Sequence, residues 1–160
     1  GEIGHTIIDY NCRTKTRFKF QQGTLEAFLG KNSLISLAKD EAAKDTGSKL
    51  NAKDNFDVVD IYNFAIEGDP ASRKVLQKAG EILGFGLSSA MNLLDISTVI
   101  VGGGVANAGE MIFDSARKAM RWHLLPPLAE QFELRTARYL SDTGVRGAAL
   151  LGKSLIENDF

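Results

Sequence analysis

One uninterrupted stretch, "DPASRKVLQKAGEILGFGLSSAMNLLDISTVIVGGGV" from Asp69 to Val105, limits the possible folds more than any other part of the chain. Asp69 is placed to cap a helix, and Pro70 falls in its first turn, where a missing N–H costs nothing. Val75, Leu76, Ala79, Ile82, Leu83, Leu87, Ala90 and Leu94 then recur at helical spacing and mark a buried stripe. Gly80, Gly84 and Gly86 interrupt that helix, each at a cost of roughly 1 kcal/mol in propensity. Such a cost is tolerated where another backbone must approach closely. The uncharged run "ISTVIV" follows as a buried-type strand, leading directly into Gly102, Gly103 and Gly104.

The flanking sequence extends the same alternation. "MIFDSARKAM" reads as a helix opened by a capping box between Asn107 and Glu110. Pro126 and Pro127 interrupt, "ELRTARY" reads as a strand, and "GVRGAALLGKSLIE" as a terminal helix. Upstream, the β-branched run from Gly4 to Tyr10 is expected to be a strand. It would pair as a hairpin with "CRTKTRFKF", where Arg13, Lys15, Arg17 and Lys19 alternate with Thr14, Thr16, Phe18 and Phe20. Thr24 suits the N-cap of a short helix over "LEAFLG", and a second helix is expected from about Ser33 to Lys44. Residues 45–57 carry no apolar pattern and read as a connection to the short helix "VVDIYNFAIEG". A hairpin, several helices, then strand, helix, strand and helix specify an α/β domain.

Composition narrows the function classes. At 160 residues the chain suffices for one domain with its own core. No apolar run approaches a bilayer span and no leader-like segment precedes Gly1, so the expected setting is cytoplasmic. The absence of a starting Met, with a motif already under way, suggests part of a longer chain. With 19 basic and 20 acidic residues there is no global attraction to nucleic acid. The single cysteine, Cys12, excludes an intrachain disulfide and a multi-cysteine metal site.

Four features bear on chemistry. The glycine run 102–104 suits either a ligand-facing turn or a plain tight turn; with Asn107 in the sixth position it does not match the dinucleotide fingerprint. "GAALLGKS", from Gly147 to Ser154, matches the P-loop pattern letter for letter, but Ala148 to Leu151 make a good helix interior, so a packed terminal helix is expected. The basic strand face opposes its own aromatics and reads as solvated, while His123 lacks ligand-spaced partners. Finally, Glu2 and His5 in "GEIGH" and Glu26 in "GTLEAF" bracket the expected hairpin. Brought together, two carboxylates and an imidazole suit a polyhydroxylated ligand, because each can bind vicinal hydroxyls. Glu26 would equally serve as a first-turn acid favouring the helix dipole.

"GEIGH", "GTLEAF", the stretch from Glu67 to Glu110 and "GVRGAALLG", in that order, resemble the C-terminal lobe of the ROK family, named for repressors, open reading frames and sugar kinases. The resemblance covers essentially the whole chain. It implies the two-lobed, actin-like and ribonuclease-H-like ATPase fold, with a hexose phosphorylated in the cleft between lobes. It further implies that residues 1–160 are the C-terminal lobe of a glucokinase-like enzyme, with Glu2, His5 and Glu26 contacting sugar and Gly102, Gly103, Gly104 and Val105 forming the nucleotide-binding turn. The catalytic Asp and the first phosphate loop of the family would lie upstream, so ATP and magnesium belong to the intact protein and the chain alone is expected to be inactive.

In most members the counterpart of His5 binds zinc with three cysteines in C-x-C-G-x-x-G-C-x-E. Here Arg17, Lys19 and Thr24 stand at those positions, and zinc is expected to be absent. The resemblance also implies a hexose substrate and a homodimer, with no membrane partner. Two other readings stay open: the sugar-sensing domain of a ROK repressor, which would bind nucleic acid through an upstream helix-turn-helix, and a degenerate module that binds no sugar.

Overall fold

The computed structural model describes residues 2–11, 21–103, 109–138 and 142–158. Its elements, in chain order, are a 3-10 turn at Ile3–His5, α1 (Leu25–Leu29), α2 (Lys31–Ala42), a second 3-10 turn at Lys49–Ala52, α3 (Val58–Ile66), α4 (Pro70–Leu94), β1 (Thr98–Val101), α5 (Glu110–His123), α6 (Pro126–Gln131), β2 (Glu133–Thr136) and α7 (Thr143–Asn158). Among the described residues, β1 and β2 pair in parallel, with Thr98 opposite Glu133 and Val101 opposite Thr136. The result is an α/β fold dominated by helices.

The cap at Asp69 forms as the sequence requires. Its carboxylate accepts from the Ser72 amide at 2.8 Å, and it also receives the Lys49 amide at 2.8 Å and the Ser48 hydroxyl at 3.1 Å. Burial of Asp69 opposes its ionisation, yet these hydrogen bonds outweigh burial and hold the carboxyl below its ordinary pKa. One residue thus starts α4 and ties down the connection between α2 and α3.

From this start α4 runs through the middle of the core. Val75, Leu76, Ala79, Leu83, Leu87 and Met91 are buried, facing Ile112, Phe113, Ala116 and Met120 of α5 as well as Ile61 of α3 and Leu34 of α2. Full burial of each large apolar side chain contributes about 1.5–3 kcal/mol. Gly80 and Gly84 let α5 settle against α4: a Cβ at Gly80 would lie 2.3 Å from the Ile112 carbonyl oxygen, and one at Gly84 2.6 Å from that of Ala116. The glycines are explained by helix-to-helix contact.

Several expectations need correction. Gly4 to Tyr10 do not form a strand: Ile3–His5 make a 3-10 turn, and only Ile7 pairs, in one antiparallel bridge with Thr24. β-branched residues favour a strand only where a partner supplies a ladder. The other half of the expected hairpin lies outside the described residues. Helix α5 is capped by Gly109, with no side-chain cap, and the Glu110 carboxylate turns forward to Arg117 at 2.6 Å. Asn107 lies outside the described residues.

Pro126 and Pro127 do more than interrupt, since they open α6, where proline is tolerated in the first turn. Leu94 is exposed, and Ile82 and Ala90 are half-buried. The reason for Leu94 is that α5 ends level with Asn92, whose side chain holds the His123 carbonyl and the Leu125 amide at 3.0 Å each. The end of α4 projects past its partner.

The terminal helix exists, so Gly147 to Ser154 are helical rather than a phosphate-cradling loop. It is not packed as expected. Val145, Leu150, Leu151, Leu155 and Ile156 are exposed, because propensity can form a helix without supplying a neighbour to bury its apolar side chains. Among the described residues no helix is long and apolar enough to cross a membrane.

Candidate functional site

The polar corner is assembled by short-range backbone hydrogen bonds. Within the first turn the His5 amide donates to the Glu2 carbonyl at 3.1 Å, which puts both candidate residues on one 3-10 turn. That turn is fastened to α1 where the Leu25 amide donates to the Thr6 carbonyl at 2.9 Å, and the Ile8 amide to the Gly23 carbonyl at 2.8 Å. Thr24 is fully buried. Its hydroxyl donates to the Gln21 carbonyl at 2.8 Å and accepts from the Ala27 amide at 3.3 Å, capping α1 as the sequence suggests.

Glu26 is the second residue of α1, and its carboxylate is seated between two glycines. A Cβ at Gly4 would lie 3.5 Å from one carboxylate oxygen, and a Cβ at Gly30 would lie 3.4 Å from the other and 2.9 Å from the Glu26 carbonyl. Glu2, His5 and Glu26 are all exposed, so the corner faces solvent with two carboxylates and an imidazole on adjoining backbone. Ionised carboxylates accept hydrogen bonds, which matches the donor side of sugar hydroxyls.

One supporting residue, Gly30, is not singled out by the sequence. Gly30 separates α1 from α2 and leaves room for the Glu26 carboxylate; a glycine between two helical patterns was the available signal. At Gly86, where the sequence predicts close approach of another backbone, the neighbour is instead the Leu25 side chain, whose Cδ2 would lie 2.7 Å from a Cβ there. Helix α4 therefore supports the corner through the residue beside Glu26. His123, by contrast, packs its ring against Phe85, tilted by 40° with centroids 4.3 Å apart.

The glycine turn begins where β1 ends. Gly102 and Gly103 are exposed, Gly103 has φ of 73°, and a Cβ there would meet nothing within 4 Å. Such open backbone admits close approach by a phosphate or a base. Gly104 and Val105 lie outside the described residues. At the far end, Gly109 has φ of 68°, and a Cβ there would lie 3.1 Å from the Tyr62 hydroxyl. Between the corner and β1 runs a cleft of about 650 Å³ with mostly apolar walls, including Glu2, Ile3, Leu87, Leu94, Thr98 and Ile100.

An α/β lobe with a polar corner at its first turn and an open glycine turn after a partly exposed strand has the architecture of the actin-like ATPase class. The chain belongs to the ROK family, whose family model matches residues 1–154. A glucokinase of Thermotoga maritima is 23% identical over 97% of this chain and 50% of its own length. The DNA-binding transcriptional repressor Mlc of Escherichia coli is 23% identical over 94% of this chain and 36% of its own length. A crystal structure of a ROK family glucokinase from Streptomyces griseus in complex with glucose and AMPPNP matches with a TM-score of 0.76 and 27% identity, covering 94% of this chain and 50% of that one. This chain therefore spans half or less of the length of these relatives.

Proposed function

We propose that this chain is the C-terminal lobe of an ATP-dependent hexose kinase of the glucokinase type, working in the cytoplasm as a homodimer. The observation that carries the reading is the Glu26 carboxylate, held between Gly4 and Gly30 against the turn bearing Glu2 and His5. In this reading the two carboxylates accept hydrogen bonds from sugar hydroxyls, and His5 supplies a further polar contact. The glycine turn, Gly102 to Val105, approaches the nucleotide. Its described end fits that role because Gly103 leaves its backbone open. ATP with its magnesium would supply the transferable phosphoryl group. The base that deprotonates the sugar belongs to the other lobe.

The relatives' names support a sugar kinase, and their range, from glucokinases to N-acetyl-D-glucosamine kinases and the repressor Mlc, leaves sugar sensing as the second reading. The two are separated by joining this chain behind the amino-terminal half of the Streptomyces griseus glucokinase. The expected result is glucose phosphorylation by the chimera and none by the chain alone. Glu26→Gln should raise KM for glucose about 10- to 100-fold, the loss of a hydrogen bond to a charged group, with KM for ATP unchanged. Sugar binding without turnover would favour the sensor, and an unaltered glucose KM in the variant would overturn the role of Glu26.

Zinc does not fit this lobe. The Thr24 hydroxyl is already committed as donor and acceptor, and cationic Arg17 and Lys19 occupy the other family positions. Elemental analysis of the purified chain after dialysis is expected to find roughly 0.1 zinc per chain or less. One firmly held zinc per chain would refute this.

A further inference from the structure

Helix α4 is the wall between two hollows on one surface of the molecule. On one side, α1 and α2 complete a hollow of about 680 Å³ with mostly apolar walls, which include Phe28, Leu37, Ile82 and Phe85. On the other, α5 completes a hollow of about 450 Å³ beside Lys118, Trp122 and His123. Glu81 and Phe85 line both. Trp122 is 84% exposed, and Phe85, which the His123 ring packs against, is 44% exposed. An open apolar hollow and a bare tryptophan on the same surface are the two halves of one contact. Within one molecule they do not meet, because α4 lies between them.

The charges are arranged in the same way. Asp40 lines the larger hollow, Lys118 the smaller and Glu81 both, and among the described residues none of the three forms an ion pair. Lys78, the other charged residue of the larger hollow, is held by the buried Glu41. One end of the surface is therefore acidic and the other basic. A uniformly basic or acidic partner would match only one end, whereas a second copy turned by 180° matches both. A two-fold axis through Phe85, perpendicular to the surface, exchanges the two hollows. It brings Trp122 of each copy to the larger hollow of the other and Lys118 towards Asp40 and Glu81. It also sets the two α4 helices antiparallel, which keeps the two Glu81 carboxylates on opposite sides of the axis.

We infer that this surface is a self-complementary dimer interface, in which Trp122 and Lys118 of α5 dock onto the hollow between α2 and α4 of a second copy, with Phe85 on the axis. The inference rests on the homodimer of the proposed function and gives that homodimer a surface. Trp122 is its anchor, since a large aromatic side chain seated in a desolvated hollow carries a disproportionate share of binding.

Trp122 is the single tryptophan of the chain, so its fluorescence reports on this surface directly. Sedimentation of the purified chain is expected to show a dimer that dissociates on dilution, with Trp122 emission moving to the red over the same concentration range. Trp122→Ala should raise the dimer Kd about 30-fold or more and leave the helical circular dichroism unchanged, because the side chain is exposed within one copy. Asp40→Lys and Lys118→Glu should each raise Kd about 10-fold. The double variant, which reverses both ends, should return it to within about threefold of the parent.

A chain that sediments as a monomer throughout would overturn the inference. So would a dimer in which Trp122 stays open to a soluble quencher and Trp122→Ala leaves Kd unchanged, because the copies would then meet elsewhere. Charge reversals that the double variant does not rescue would show that this surface receives something other than a second copy, and would overturn it too. Glucose phosphorylation by the chimera is a separate readout, so a chain that dimerises through Trp122 and yields an inactive chimera would refute only the kinase-lobe reading.

Discussion

Gly80→Ala is expected to destabilise the protein by about 2 kcal/mol, even though alanine is the better helix former by roughly 1 kcal/mol. The new Cβ would lie 2.3 Å from the Ile112 carbonyl oxygen and 2.7 Å from the Ser115 Cβ. A backbone carbonyl cannot rotate aside as a flexible side chain can. Helices α4 and α5 must therefore separate, loosening Phe113, Ala116 and Met120 along the same contact. For a chain of this size the melting temperature should fall by roughly 4–8 °C, and Gly80→Leu should leave no cooperative transition. Gly147→Ala is the control, because nothing lies within 4 Å of a Cβ there. It should increase helicity. A Gly80→Ala protein as stable as the parent would show that α4 and α5 do not pack as closely as described.

The second large effect is acid sensitivity centred on Glu41. This carboxylate is 2% exposed and is gripped by Lys78 at 2.6 Å, Lys44 at 2.9 Å and Lys74 at 2.9 Å. The Lys78 hydrogen bond is the largest of the influences that lower its pKa from 4.5 to about 2, with Lys44 and Lys74 next and burial opposing them. A carboxyl with a lowered folded pKa contributes stability that is fully present above its unfolded value and lost as pH falls through the folded one. The window is therefore from about pH 4.5 down to about pH 2. The lysines are substantially exposed, so solvent screening limits the contribution to about 2 kcal/mol. Urea unfolding at several pH values should show the parent losing this increment in that window relative to Glu41→Gln. Curves for the two proteins that stay parallel across it would refute the role of Glu41.

Much of the architecture could be read from residue spacing. Asp69 followed by Pro70 announced the start of α4, Thr24 announced α1, and the uncharged "ISTVIV" announced the strand β1, although Thr98 to Val101 alternate exposed and half-buried instead of lying buried as expected. These are local signals, decided by which side chain reaches a nearby amide or which dihedral angles a residue favours, so the sequence carries them without help. The candidate corner was legible for the same reason in part: Glu2 and His5 are close in sequence. Bringing Glu26 to them took the Ile7–Thr24 bridge and the bond from the Leu25 amide to the Thr6 carbonyl.

Where expectation failed, a distant neighbour was responsible. Residues 4–10 have strand-forming composition but, among the described residues, pair only through Ile7 and Thr24, and Ile3–His5 form a 3-10 turn. Leu94 sits on the apolar stripe of α4 but beyond the end of α5, and the apolar side chains of α7 have no described neighbour to cover them. The sequence by itself determined the α/β alternation, the caps and the glycine positions, because these depend on short-range dihedral and hydrogen-bonding preferences. Only the tertiary structure decided that Gly80 and Gly84 admit α5, that Gly86 admits Leu25 and that three lysines converge on Glu41. Those outcomes depend on which surfaces meet in space, and sequence spacing along one element does not specify its partner.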